Sequence, residues 1–318
     1  MDSLKFHIKL NLEINELKNI VIKFKKNKDY KIKNIKWDYF SNPFGKSKFF
    51  IAKYDNLIIG MIVCFKQIYI NKDKKFVGYR IQDVITDTKM IRNLIRNNKN
   101  FFSKNKKGIF ENLIIKLNDF LKEKSKINLG FANHLAFPYW KRNLWEDLSD
   151  FPIFEKQIIK KEIFNLEFKK IKKFNFKHEK IFLDSLNKKI NVFWSSKYLN
   201  WRYVKNPRSS YYIYEFFNEK KLVGYTILKL YISNKEKVGH ICQIISIPGF
   251  KEEITSFANN FFLNKKISKM SQWSLNHDLM KKTGFIKNFP ENKKIVYFGK
   301  LKLDKSNFDI NMGFSDIY

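Results

Sequence analysis

Two short stretches hold residue types suited to chemistry near the ends of predicted elements. Asp83-Val84-Ile85-Thr86 closes an apolar run with a carboxylate and a hydroxyl. Asn105-Lys106-Lys107-Gly108-Ile109-Phe110 opens the next run with two ammonium groups and a glycine. A glycine where a loop enters a helix lets a ligand approach the backbone, because no Cβ stands in the way. The first N–H groups of a helix have no internal acceptor and lie at the positive end of its dipole, which suits a pyrophosphate. With a helix beginning near Ile109, residues Asn105 to Phe110 present those amides, and Lys106 and Lys107 add charge. An ordinary turn is the alternative reading of the same glycine. His134, which opens a later helix, reads as a cap or an exposed side chain, and His240 and His277 read the same way.

The elements that must position these residues occur twice. Residues 37–63 and 201–227 align without a gap at an offset of 164: Trp37, Tyr39, Asn42, Pro43 and Gly60 match Trp201, Tyr203, Asn206, Pro207 and Gly224. Tyr54-Asp55-Asn56 and Asn218-Glu219-Lys220 each sit between β-rich runs, as hairpin turns do. Each copy continues with a strand (76–87; 237–247), a helix (109–124; 251–265) and a strand (127–132; 267–274). An Asn-His pair then opens another helix (Asn133-His134; Asn276-His277), and a closing strand follows (154–164; 293–298). Antiparallel strands followed by strand–helix–strand predict a mixed α/β fold, each half a mostly antiparallel sheet flanked by helices. The expected domains are 1–165 and 166–318, meeting in the lysine-rich stretch near residues 160–178.

Composition limits the function classes. The 318 residues suit two domains, and 44% hydrophobic with 17% aromatic content suits packed cores rather than disorder. The longest apolar run, Leu57–Phe65, falls well short of the roughly 18–20 residues of a membrane span. The first twenty residues alternate polar and apolar types and predict no signal peptide. Cys64 and Cys242 fit neither a metal site nor a disulfide framework, so a cytoplasmic protein is expected. The formal charge of +33 has two readings. One is the Lys/Asn/Ile/Phe bias of an AT-rich genome; the other is an anionic partner such as nucleic acid, an acidic saccharide or a CoA thioester.

This element order, with its chemical signals, resembles the GNAT superfamily of N-acetyltransferases. The resemblance covers most of the chain by layout, while its sharper motifs lie in the first half. It implies two GNAT-like domains, acyl-CoA as donor (acetyl-CoA or another) and an amine acceptor. The family's R/Q-x-x-G-x-G/A loop falls on Asn105, Lys106, Lys107, Gly108, Ile109 and Phe110, with Asn105 where arginine is usual. The strand that pairs with the pantetheine arm falls on Val84, Ile85 and Thr86, and the family's asparagine after the next strand falls on Asn133. The link from Thr86 to Asn105 exceeds the family's by roughly 14 residues. Its insertion, 88–104, carries five basic residues and no acid, as either a solvated helix or a basic flap.

Acyl transfer needs a free amine, a polarised carbonyl and a proton for the leaving thiolate. Asp83 is the candidate base; a polar partner for Tyr79 or Arg80 is its structural alternative. Seven residues past Asn133, where the family's proton-donating tyrosine is found, stands Trp140, with Tyr139 beside it. Tyr139 is therefore the candidate acid, and packing between helix and sheet is the alternative for both rings. In the second half, Glu252 and Glu253 in the first helical turn disfavour phosphate, and Met280 takes the tyrosine's place. That half is expected to be a degenerate domain shaping the acceptor cleft, with Trp194, Trp201 and Tyr203 as contributors or as buried anchors. Three functions follow: an N-acyltransferase acting on a small-molecule amine or amino sugar, a FemAB-like aminoacyl-tRNA-dependent transferase, and a non-catalytic binding protein.

Overall fold

The computed structural model describes residues 5–9, 12–25, 31–54, 57–97, 107–233, 236–288 and 293–314. In chain order the first elements are β1 (Lys5–Lys9), α1 (Ile14–Lys25), α2 (Ile32–Ile35), β2 (Lys48–Tyr54), β3 (Leu57–Asn71) and β4 (Lys74–Thr86). Next come α3 (Thr88–Asn97), α4 (Ile109–Lys124), β5 (Ile127–Ala132), α5 (Phe137–Arg142) and β6 (Glu146–Asp150). The chain continues with β7 (Ile153–Gln157), β8 (Glu167–Lys170), α6 (Phe176–Asp184), β9 (Asn191–Val192), α7 (Ser196–Leu199), β10 (Tyr212–Asn218) and β11 (Lys221–Ile232). It ends with β12 (Lys237–Ser246), α8 (Lys251–Asn264), β13 (Lys269–Trp273), α9 (His277–Lys282), β14 (Ile286–Lys287) and β15 (Lys294–Gly299).

The sequence repeat is a structural repeat at the same offset. Helices α2 and α7 each run into a π-helical turn, Lys36–Phe40 and Asn200–Val204, which buries Trp37 and Tyr39 in one copy and Trp201 and Tyr203 in the other. Asn42 accepts from Phe44 N at 3.1 Å, and Asn206 accepts from Arg208 N at 2.9 Å, so the Asn-Pro pair closes the same Asx turn twice. The hairpins β2–β3 and β10–β11 carry a bulge at matching places, Ala52/Lys53 and Phe216/Phe217. The shared glycine has a packing reason. A Cβ on Gly60 would meet Ile109 and Leu113 of α4 at 3.1 Å, and one on Gly224 would meet Ile245 O and Ile254 of α8 at 2.7 Å. In both copies the main helix packs tightly on the sheet over that residue.

Contacts divide the chain into two units, 1–68 with 76–148 and 293–302, and 69–75 with 149–292 and 303–318. The expected closing strands are exchanged. β15, from the end of the chain, pairs antiparallel with β5 (Val296↔Gly130), whereas β7 pairs antiparallel with β13 (Ser271↔Glu155). The irregular segment after Gln157 replaces the rest of the strand expected over 154–164. In the first sheet the order is β1-β2-β3-β4-β5-β15-β6; in the second, β14-β7-β13-β12-β11-β10-β8. In the first unit, α4 and α5 cover one sheet face through Ile109, Leu113, Leu117 and Trp140, with Trp145 beside them, while α1, α2 and Tyr39 cover the other. The second unit packs α8 onto its sheet around Phe216, Phe257 and Phe262. Trp194, Trp201 and Tyr203 are all buried, the anchoring alternative. Both cysteines are free and buried, which pushes the Cys242 thiol up to about 12 and removes thiolate chemistry.

His240 makes the second unit acid-sensitive. Its Nδ1 lies 2.7 Å from Ser271 Oγ, and burial first, then Lys229, pushes the imidazole down to about 4. Below the ordinary value near 6.5, the unfolded chain takes a proton that the fold refuses. Stability therefore declines as pH falls from about 6.5 to about 4, by up to about 3 kcal/mol. Urea titrations of the wild type and His240→Gln at several pH values across that window are expected to show the flatter profile in the variant.

Candidate active site

The site begins where two parallel strands part. β4 pairs with β5 from Gly78↔Ile127 to Ile81↔Gly130; beyond that point β4 runs on to Thr86 and β5 to Ala132. The opening is a cleft of about 710 Å³ lined by both strand ends, by α3, and by the starts of α4 and α5. Asp83, Val84, Ile85 and Thr86 line it along β4; Gly108, Ile109 and Phe110 line it at α4; Asn133 and Tyr139 line it past β5. The structure thus gathers nine of the twelve residues singled out from the sequence. Lys107 is exposed just before Gly108, and Asn105 and Lys106 lie outside the described residues.

Gly108 is not there for its backbone. Its φ of −66° and ψ of 166° are open to any residue, and among the described residues an added Cβ would meet nothing within 4 Å. The first helical bond is made by Asn112 N to Gly108 O at 3.1 Å, so the N–H groups of Ile109, Phe110 and Glu111 precede it without helical acceptors. Asn112 Nδ2 braces the turn by donating to the carbonyls of Lys107 and Gly108. Glu111 was not singled out from the sequence, yet it places a carboxylate in this first turn. Arg142 Nε stands 3.5 Å from its Oε1 and offsets that charge.

Asp83 has the left-handed φ of 49°, which breaks the strand's alternation at the mouth of the cleft. The Tyr39 hydroxyl donates to its Oδ2 at 2.6 Å, and Gln82 Nε2 is 3.4 Å from the same oxygen. Arg80 donates to Gln82 Oε1 at 2.8 Å and lies over the Phe65 ring. Tyr39 belongs to the repeated Trp-x-Tyr motif, the signal by which it could have been found.

Helix α5 separates the two adjacent aromatics. Trp140 is buried between Phe110 and Trp145, with ring centroids at 5.6 and 4.6 Å, whereas Tyr139 stands on the cleft wall 38% exposed. The Tyr139 ring lies against Phe110 at 5.4 Å and under the Arg142 guanidinium at 4.6 Å. Asn133 accepts from Ala136 N at 2.8 Å and caps the turn leading into α5; His134 is exposed. The first part of the insertion is helix α3. Its Thr88 and Ile91 line the cleft, Met90 and Ile91 pack on the core, and Lys89, Arg92 and Arg96 face solvent.

The second unit uses the corresponding place differently. Glu253 in the first turn of α8 accepts from Asn165 N at 2.6 Å and Leu166 N at 3.1 Å, and Glu252 pairs with Lys282. Asn259 and Asn260 bind the carbonyls of Lys160 and Glu162, so the segment between β7 and β8 is strapped along the helix. Met280 is buried.

No family model and no curated protein matches the chain. Solved structures do share its fold. A probable N-acyltransferase from Enterococcus faecalis V583 superposes with a TM-score of 0.65 at 8% identity, over 93% of this chain and 72% of that one. A GCN5-related N-acetyltransferase from Anabaena variabilis ATCC 29413 gives 0.63 at 12% identity, over 93% and 73%. The Saccharomyces cerevisiae N-myristoyltransferase with bound myristoyl-CoA gives 0.60 at 10% identity, over 98% and 87%. At these identities the likeness is one of fold, and that fold is tandem GNAT-like.

Proposed function

We infer that this chain, built on a tandem GNAT-like fold, is an acyl-CoA-dependent N-acyltransferase acting on the amine of a small molecule or amino sugar. One observation carries the reading: the parting of β4 from β5 opens directly onto the start of α4, which no side chain among the described residues caps. The freed edge of Val84 to Thr86 offers backbone donors and acceptors to an extended, amide-bearing arm. The first amides of α4, with Asn105, Lys106 and Lys107 before them, suit a pyrophosphate, and the open space before Gly108 gives it room. The fold neighbours named as acyltransferases, one of them with myristoyl-CoA bound, support the same donor class.

Acetyl-CoA, or another acyl-CoA, supplies an activated thioester carbonyl. Asp83, held by Tyr39 at the cleft mouth, receives the proton of the attacking amine, directly or through water. The Tyr139 hydroxyl, on the exposed wall, returns a proton to the departing sulfur. Phe110, Ile109 and Trp140 keep water from the reacting carbonyl. Acetyl-CoA and free CoA at about 100 times Kd are expected to raise the melting temperature by roughly 5 °C or more. A panel of amines and amino sugars should then release free thiol from acetyl-CoA. No response to any CoA species, together with stabilisation by tRNA, would replace this reading with the aminoacyl-tRNA-dependent one.

A further inference from the structure

The second unit carries a concave basic surface that acyl transfer does not use. A groove of about 690 Å³ opens between the end of β10, the loop after β8 and the start of α6. Lys169, Lys170, Lys172, Lys173, Lys177 and Lys220 line it. All six are exposed, and among the described residues none makes an ion pair. The single acid of the lining, Glu215, is turned to His178, whose Nε2 is 2.7 Å from its Oε1. The start of α6 is already satisfied, because Asn175 Oδ1 accepts from Lys177 N at 3.0 Å. Anion binding therefore falls to the lysine side chains.

Compositional bias scatters lysines over convex surface, where each is solvated separately. Here Lys170 turns its ammonium over the Tyr212 ring, 5.3 Å from the centroid, on the side of β8 away from Glu215. The other five, lining one concavity with one acid, repel each other, and a ligand carrying several negative charges relieves that repulsion. Shape selects among such ligands: a bilayer is too flat to follow a groove, whereas a phosphodiester strand can lie along it. Beside the groove, between the lining residues Asn175 and Lys177, Phe176 is 72% exposed and offers a stacking face for a base. We propose that this groove binds single-stranded RNA through its phosphates, with Phe176 stacking on a base and without sequence preference.

Fluorescence anisotropy with a labelled oligouridylate of about 16 nucleotides, across a salt series, tests it. Lys172→Gln/Lys173→Gln should weaken binding at least tenfold and lower the slope of log K against log salt by about 1.4. Phe176→Ala should weaken it roughly five-fold or more with the slope unchanged. Lys116→Gln/Lys122→Gln, which removes the same charge from exposed positions on α4, should leave both quantities near wild type. Equal losses in the two double variants would overturn the proposal in favour of general charge, as would absent RNA binding. Groove-dependent retention on phosphatidylserine-containing vesicles, with no RNA binding, would reassign the surface to a membrane. None of these outcomes depends on acyl-CoA binding.

Discussion

Gly108→Trp is expected to weaken acyl-CoA binding at least about 100-fold, about 2.8 kcal/mol, without changing the fold. The backbone there has an extended conformation that tryptophan adopts freely, and the first atom of any side chain meets open space. A change in melting temperature of the free protein is therefore not expected. That space lies before the amides of Ile109, Phe110 and Glu111, where a pyrophosphate must come within hydrogen-bonding distance of the backbone. An indole ring fills it and leaves those amides to water. Gly108→Ala serves as the graded control, because one methyl group restricts the approach less than the indole does. Isothermal titration with CoA and acetyl-CoA reads the result. Wild-type affinity in Gly108→Trp would move the pyrophosphate away from α4 and remove the site from this cleft.

The repeat was the most legible feature because it is local. A π turn, an Asx turn and a bulge at one offset depend on neighbours in sequence, so Trp37, Tyr39, Asn42 and Gly60 could announce them. Helix α4 and strand β5 run over 109–124 and 127–132, the residues expected for them. The exchange of β7 and β15 was illegible for the opposite reason. Alternating apolar residues define a strand and its buried face, but they do not say which sheet receives it. The Asp83–Tyr39 bond joins residues 44 apart, and no periodicity encodes such a pairing.

The two halves also show one framework with two kinds of helix start. Both place a glycine under the main helix and an asparagine cap before the last one, Asn133 in one and Asn276 in the other. They differ in the first helical turn. In α8, Glu253 holds the backbone of Asn165 and Leu166, so the helix start is bound to the protein itself. In α4, the braced Lys107–Gly108 turn leaves the first amides facing the opening, and Arg142 offsets Glu111. On the proposed function, a carboxylate in the first turn therefore does not decide whether the helix start can receive an anion. Its partner does.

Asp83→Asn is expected to lower kcat by about 10²–10⁴ while leaving the Kd for acyl-CoA near the wild-type value. Asparagine keeps the size of the side chain and can still accept from Tyr39, so the bond to the buried helix turn survives with little change in the cleft. What disappears is the capacity to hold a proton taken from the amine. Tyr39→Phe tests the support separately. It removes the hydroxyl at 2.6 Å and costs about 1 kcal/mol of stability, and it lets the carboxylate turn away from the cleft mouth. Its kcat should fall less than that of Asp83→Asn, and the double variant should be no slower than Asp83→Asn alone, because the tyrosine acts through the carboxylate. Additive losses would mean that Tyr39 and Asp83 act independently. A full-rate Asp83→Asn enzyme with a lowered melting temperature would assign the pair to the architecture of β4 and leave water as the proton acceptor.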